Sequence, residues 1–295
     1  MKIGIVGLPN VGKSTLFNAL TRNYGAEAQN FPFCTIEPNV GIVNVNDQRL
    51  EQIRTAVNGA KIIPAMCEFT DIAGIVKGAS EGEGMGNKFL ANIRESDAIL
   101  QVVRVFENKD ITHVNGELNP KNDIEIINAE LMLADIETLQ KRIGNDARKA
   151  RSDKEIAVKL ETLEKALESL EKGILVSSGN WTEEEQLHLR DSHLLTNKQF
   201  VYACNVNEDM MDASEEELKD IIGVTEKNIR VVPICAKLEE DMIEMTLEER
   251  KAFLDDMGLI STGLDNLIKT SYDALGLQYY FTAGEQEVRA WTIHK

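Results

Sequence analysis

The feature that most limits what this chain can become is Gly7-Leu8-Pro9-Asn10-Val11-Gly12-Lys13-Ser14. It follows the short apolar run Ile3 to Val6 and opens onto Thr15-Leu16-Phe17-Asn18-Ala19-Leu20, so it sits between a strand and a helix. G-x-x-x-x-G-K-S in that setting predicts a phosphate cradle. The loop amides and the helix N-terminus face the α- and β-phosphates of a nucleotide, Lys13 reaches the β- and γ-oxygens, and the Ser14 hydroxyl ligates Mg²⁺. Such a start commits the chain to an α/β fold with a mainly parallel sheet and the nucleotide at the carboxyl ends of its strands.

The rest of the chain supplies that sheet. Val40 to Val45, Ala65 to Thr70, Ala98 to Phe106, Gln199 to Cys204 and Ile229 to Ile234 are apolar, β-branched runs that read as strands beside Ile3 to Val6, six in all. Between roughly Ile124 and Leu195 the composition changes to long helices. Ile156, Leu160, Leu163, Leu167, Leu170 and Ile174 recur at spacings of four and three, a coiled-coil seam. Leu133, Ile136, Leu139, Ile143, Ala147 and Ala150 suit the opposing helix. Because strands resume at Gln199, this antiparallel arm is an insertion. The expected organisation is therefore a nucleotide domain over residues 1–123 and 199–276, an arm over 124–198, and a further short segment over 277–295.

Charge and cysteine content narrow the partners. A formal net charge of −17 argues against a broad electrostatic hold on DNA or on an anionic membrane, and confines any RNA contact to a local patch. Cys34, Cys67, Cys204 and Cys235 are widely spaced without C-x-x-C, which fits a reduced cytoplasm rather than a zinc site or a disulfide framework. Met1 leads straight into the first strand, and no run approaches the ~18 apolar residues of a membrane span.

Several residues extend the phosphate site. Thr35, in the Pro-framed segment Asn30 to Pro38, can bring a hydroxyl to Mg²⁺ and an amide to the γ-phosphate. Asp71 stands at a strand end, where its carboxylate can hold a Mg²⁺-bound water, and Gly74 can offer its amide to the γ-phosphate. The glycine-rich run from Gly74 to Gly86 is costly to order without a ligand and reads as a switch. After Gly74, where a regulatory GTPase carries a water-orienting glutamine, stands Ile75, which has neither donor nor acceptor. His113, on a polar loop, either places or deprotonates the attacking water or simply faces solvent.

The base-reading loop is also unusual. Asn205-Val206-Asn207-Glu208 occupies the place of N-K-x-D, with Val206 for the lysine that covers the base and Glu208 for the aspartate that accepts both guanine donors. A side chain one methylene longer misplaces that bidentate acceptor. Adenine needs only an acceptor for its 6-amino group and a donor for N1, which Asn205 and nearby backbone can supply. This favours ATP, or weak discrimination between ATP and GTP. Cys235-Ala236-Lys237, after the last strand, is placed like the final base-contacting loop.

With these residues assembled, the chain resembles the YchF or Obg-like ATPase family, a branch of the translation-factor-related P-loop NTPases. GLPNVGKST, NFPFCTIEPN, DIAGIVKGASEGEGMGNKFL, NVNE in place of N-K-x-D, and the ending YFTAGEQEVRAWTI carry the resemblance. It implies a Ras-like domain interrupted by a helical arm, ATP preferred over GTP, Mg²⁺-dependent hydrolysis with a hydrophobic residue at the glutamine position, and association with the ribosome. By the same match, nucleotide contacts fall on Asn10, Val11, Gly12, Lys13, Ser14, Thr15 and Val206, and Mg²⁺ contacts on Ser14 and Thr35. Related NTPases with asparagine at the Asn10 position and no catalytic glutamine can use K⁺ beside the phosphates. Members continue into a small β-grasp-like TGS domain, whose opening strands Gln278 to Ile293 resemble.

Overall fold

The computed structural model describes residues 2–25, 39–59, 61–72, 85–108, 117–226 and 228–294. In chain order the elements are β1 (Lys2–Val6), α1 (Lys13–Tyr24), β2 (Val40–Val45), α2 (Gln48–Val57), β3 (Lys61–Ile63), β4 (Ala65–Asp71), α3 (Met85–Glu95) and β5 (Ala98–Arg104). There follow α4 (Pro120–Asp146), α5 (Lys154–Glu171), α6 (Glu183–Arg190), β6 (Gln199–Asn205), α7 (Glu215–Ile222) and β7 (Arg230–Ile234). The chain closes with α8 (Ala236–Asp241), α9 (Leu247–Asp256), α10 (Gly263–Ala274), β8 (Leu277–Ala283) and β9 (Glu287–His294).

All six expected strands join one sheet, in the order β2-β4-β1-β5-β6-β7. Every pairing is parallel except β2 with β4. The local sequence explains both facts. β5 is buried at every position, as a strand covered by helices on both faces must be, whereas β2 alternates buried and half-buried residues, the pattern of an edge strand. The parallel order brings the carboxyl ends of β1, β4, β5, β6 and β7 to one rim of the sheet, and each ends there in a polar or turn residue: Gly7, Asp71, Arg104, Asn205 and Cys235.

The helices start where their caps dictate. Asp47, Asn119 and Asp153 accept backbone N–H groups at the starts of α2, α4 and α5, and Thr182, Ser214 and Thr246 form capping boxes with Glu185, Glu217 and Glu249. Each cap is worth about 1 kcal/mol.

The arm departs from the seam expected of it. Leu133 is 48% exposed and Ile174 45%, while Ala147 and Ala150 lie beyond the end of α4. The reason is that α4 serves two cores. Ile124, Ile127, Leu131 and Ala134 pack with the sheet, and only the later Leu139, with Ile136 and Ile143, meets Leu163, Ala166 and Leu170 of α5. α6 completes this second core with Leu189, so three helices rather than two build it. At its return to the sheet, Asp135 accepts from the N–H groups of Leu195 and Thr196 and from the Thr196 hydroxyl, a buried junction.

The strands expected after Gln278 are present as an antiparallel pair, β8 with β9, and β9 pairs in parallel with β3. Leu277, Val288 and Ala290 join the main core. The Tyr279 hydroxyl donates to Asp47 Oδ2 at 2.5 Å, and the Arg49 guanidinium lies 5.2 Å and 5.1 Å from the ring centroids of Tyr279 and Phe281.

Candidate functional site

The loop from Gly7 to Gly12 wraps the N-terminus of α1 with left-handed backbone at Asn10 (φ 63°) and Gly12 (φ 99°). Gly12 is required on two counts. Its φ disfavours any side chain, and a Cβ there would lie 2.4 Å from Asn205 Nδ2. Lys13, the first residue of α1, is 8% exposed, and its ammonium donates to the Leu8 carbonyl at 2.9 Å. Burial lowers its pKa, and the carboxylate of Asp71 opposes that shift. A phosphate group brought to the loop would oppose it further, so this lysine gains more from an anion than a solvated one does.

Ser14 and Asp71, both expected near Mg²⁺, lie side by side. Ser14 Oγ donates to Asp71 Oδ2 at 3.1 Å, joining residues 57 positions apart. β4 places the carboxylate there by running parallel to β1, with Asp71 in register with Ile5. Burial raises the Asp71 pKa, against the Ser14 hydrogen bond and the charge of Lys13. Its Oδ1 is buried and has no hydrogen-bond partner among the described residues. A hydroxyl beside a carboxylate whose second oxygen is left over is a hard-oxygen donor set that fits Mg²⁺. Thr35, Gly74, Ile75 and His113 lie outside the described residues.

On the base side, a cavity of about 920 Å³ runs from the phosphate loop to the ends of β6 and β7. It has the size of a nucleotide pocket. Asn10, Gly12, Lys13, Ser14 and Thr15 line one end; Asn205, Val206, Glu208, Cys235 and Ala236 line the other. Two residues that sequence reasoning passed over, Phe106 and Asn108, also line it. They are set by Arg104, buried at the end of β5. Its Nε and Nη2 donate to the Phe106 and Asn108 carbonyls at 3.2 Å and 3.1 Å, and its guanidinium lies 4.5 Å from the centroid of the Phe106 ring. An arginine closing a fully buried strand whose only other polar residue is Gln101 was the available signal. A larger hollow of about 1160 Å³, between α2 and α10, contains none of the phosphate-loop residues.

The structure gives Asn205 a bracing position. Its Nδ2 donates to the Val11 carbonyl at 2.9 Å, and its Oδ1 accepts from the Ala236 N–H at 3.1 Å. The side chain is 5% exposed, so its amide ties the phosphate loop to the start of α8 instead of projecting toward a base. The Val206 side chain is buried and its N–H donates to the Ile234 carbonyl, whereas Glu208 is exposed at the cavity rim. Cys235 is buried and its thiol pKa is pushed up, chiefly by that burial.

Comparison with known proteins agrees with this geometry. A family model described as "50S ribosome-binding GTPase" matches residues 2–143. The ribosome-binding ATPase YchF of Bacillus subtilis (strain 168) is 52% identical over 298 residues, covering 99% of this chain and 81% of the relative. Its counterpart in Escherichia coli O157:H7 is 49% identical over 295 residues, covering 99% and 80%. The structure of the Schizosaccharomyces pombe YchF GTPase is 36% identical, with a TM-score of 0.86 over 100% of this chain and 80% of that one. No described helix is long and apolar enough to cross a membrane.

Proposed function

The chain belongs to the YchF family of P-loop NTPases, and from that premise we propose that it is a cytoplasmic, nucleotide-dependent switch that hydrolyses ATP in preference to GTP and acts in association with the ribosome. The observation that carries the nucleotide choice is the far end of the cavity. Guanine selection needs a carboxylate held rigidly at bidentate distance, and Glu208 is a solvent-exposed side chain on the rim. The lysine stem that N-K-x-D lays over the base is replaced by Val206, whose side chain is buried. The names of the bacterial relatives, which state ATPase and ribosome binding, favour the same reading, whereas the yeast one is named a GTPase.

The chain's residues divide the work along the cavity. Lys13 and the amides of the Asn10 to Thr15 turn hold the phosphates. Ser14 and Thr35, with Asp71 through a bound water, would hold Mg²⁺, which when bound neutralises charge on the β- and γ-oxygens. Gly74 would offer an amide to the γ-phosphate, and Asn10 would be the residue beside a K⁺ ion that neutralises developing charge there. Asn205 keeps the phosphate loop and the base-side loop in one register.

Calorimetry with Mg²⁺ present tests the substrate directly: ATP should bind tighter than GTP by tenfold or more, about 1.4 kcal/mol, and tighter GTP binding would overturn the assignment. Phosphate release without any acceptor separates hydrolysis from phosphotransfer and from a non-hydrolysing scaffold. His113→Ala resolves the two readings of that residue. Loss of turnover with unchanged ATP affinity assigns it to the attacking water; unchanged turnover makes it a solvent-facing loop residue.

A further inference from the structure

The C-terminus of α3 is capped from the arm. Helices α2 and α7 close on their own neighbours: the N–H of Asn58 donates to the Arg54 carbonyl, and that of Gly223 to the Asp220 and Lys219 carbonyls. At the end of α3 the Arg94 carbonyl, at 3.1 Å, and the Ser96 carbonyl accept instead from the ammonium of Lys198, 104 and 102 positions away. A cation suits that end of the helix dipole. Burial lowers the Lys198 pKa, and the carboxylates of Asp97 and Asp135 oppose the shift. Lys198 is the last residue before β6, where the chain returns from the arm. Just before it, Leu195 and Thr196 are held by Asp135 of α4 on the outgoing side, and Arg94 Nη2 adds a donation to Thr138 Oγ1 of α4 at 3.3 Å. The end of α3 therefore grips both limbs of the arm at its root.

The other side of the same turn faces the strands that build the phosphate site. A Cβ placed on Gly4 would lie 2.7 Å from Ile72 Cδ1 and 2.7 Å from Ser96 Oγ, so these two side chains close over β1 with no space for a methyl group. Ile72 is fully buried and directly follows Asp71, and β1 runs on into the phosphate loop. Asp97, next after Ser96, is tied to β1 as well. Its N–H donates to the Lys2 carbonyl at 2.7 Å, and its Oδ2 accepts the Lys2 N–H at 2.8 Å. One packed line thus leads from Asp71 through Ile72, Gly4 and Ser96 to Lys198 and the Asp135 junction.

We propose that Lys198 is a positioning residue that couples occupancy of the phosphate and Mg²⁺ site to the root of the helical arm. The proposal rests on the nucleotide reading above and names the route by which that site reaches the arm. A ligand that fixes the Asp71 carboxylate restrains Ile72, and with it the Ser96 turn packed beside it over Gly4. Close-packed interiors hand such restraints on, because no free space absorbs them. The carbonyls of that turn hold the Lys198 ammonium, which is the step that crosses from the nucleotide domain to the returning limb of the arm. A cap serving α3 alone needs no residue from so far along the chain; a glycine or asparagine at the helix end suffices, as α7 and α2 show.

The test is amide hydrogen exchange of the full chain, followed by NMR at Leu195 and Thr196. Their N–H groups donate to Asp135, so their exchange reports opening of the junction directly. Wild type, Lys198→Met and Lys198→Arg are each measured without ligand and with Mg²⁺ and a non-hydrolysable ATP analogue. In the wild type the analogue should slow both amides by about fivefold or more, the lower range of coupling between sites. Lys198→Met keeps the stem and loses the donors. It should raise exchange at both amides and make it equal with and without the analogue, while calorimetric affinity for the analogue stays within about twofold, because Lys198 does not line the nucleotide cavity. Lys198→Arg, which retains a cation and its donors, should restore a response. A wild type whose Leu195 and Thr196 ignore the analogue overturns the proposal. So does a methionine variant in which the analogue still slows both amides by the wild-type factor, since Lys198 is then a structural cap alone. The Gly12 and Lys13 amides keep the two readings apart. Protection there without a response at Leu195 and Thr196 leaves the nucleotide reading standing and removes this one. The same response to a GTP analogue that binds more tightly than the ATP analogue does the reverse, because the coupling depends on phosphates and metal and not on the base.

Discussion

Replacing Glu239 by glutamine is expected to abolish a loss of stability of about 3 kcal/mol that the wild-type protein suffers through this residue as the pH is raised from about 5 to about 8. Glu239 lies on α8, is fully buried, and accepts the Leu264 N–H at 3.2 Å, so it ties the start of α10 to the helix that begins at the nucleotide cavity. Burial is the main cause that lifts its carboxyl from 4.5 to about 7; Asp265 adds to the shift, and hydrogen bonds from Leu264 and Gly263 and the charge of Arg250 oppose it. Between those two values the folded protein holds a proton that the unfolded chain has released. Stability therefore falls as pH rises through that window and levels off above it. At ~1.4 kcal/mol per pH unit, the rise amounts to about 3 kcal/mol. Glutamine keeps the acceptor for α10 and cannot ionise. Urea unfolding of both proteins at the two pH values, compared as a difference of differences, cancels every other titrating group. Glu239→Ala serves as the contrast: it removes the acceptor of the Leu264 N–H in the first turn of α10 and leaves a cavity, and should cost about 2–4 kcal/mol at both pH values. If the glutamine variant loses as much stability as the wild type, then Glu239 is ionised in the fold and the Arg250 charge outweighs its desolvation.

Other sites give equally specific expectations. Asn205→Ala leaves the Val11 carbonyl and the Ala236 N–H without their shared partner; the penalty is about 1–3 kcal/mol for each group left unsatisfied, and calorimetry should show ATP affinity falling at least tenfold. Gly12→Ala should abolish nucleotide binding even where circular dichroism shows a folded protein, because its Cβ would displace the same Asn205 amide. Asp71→Asn should leave ATP affinity in EDTA near wild type while removing the gain on adding Mg²⁺, and an unchanged gain would take Asp71 out of the metal site. Tyr279→Phe deletes the hydrogen bond to Asp47 and should lower stability by about 1 kcal/mol in urea titrations at neutral pH.

How far the sequence could be read depended on how far apart the interacting residues lie. The phosphate loop was legible because one octapeptide holds its glycines, lysine and hydroxyl, and the flanking strand and helix are set by their own apolar patterns. Ser14 and Asp71 were paired correctly across 57 positions because parallel strands bring consecutive carboxyl ends to one rim, a rule that needs no coordinates. Asn205 marks where that reasoning stops. Its type and place were recognised, but as a reader of the base, whereas its amide is spent on Val11, 194 positions away, and on Ala236, 31 positions away. An amide offers a base the same donors and acceptors that it offers two backbone groups, so residue type alone does not choose between them; burial does. The arm was misread for a related reason. Periodicity shows that a helix has an apolar face, not how many surfaces share it, and α4 divides its face between the sheet and α5 while α6, only eight residues long, supplies the missing third side. The pairing of β3 with β9 is the extreme case: three residues, Lys61 to Ile63, carry no strand pattern of their own and acquire one from a partner more than 220 positions later. The least legible parts thus join the nucleotide domain to the arm and to the β8–β9 hairpin, and a nucleotide switch would have to pass its signal through those same joints.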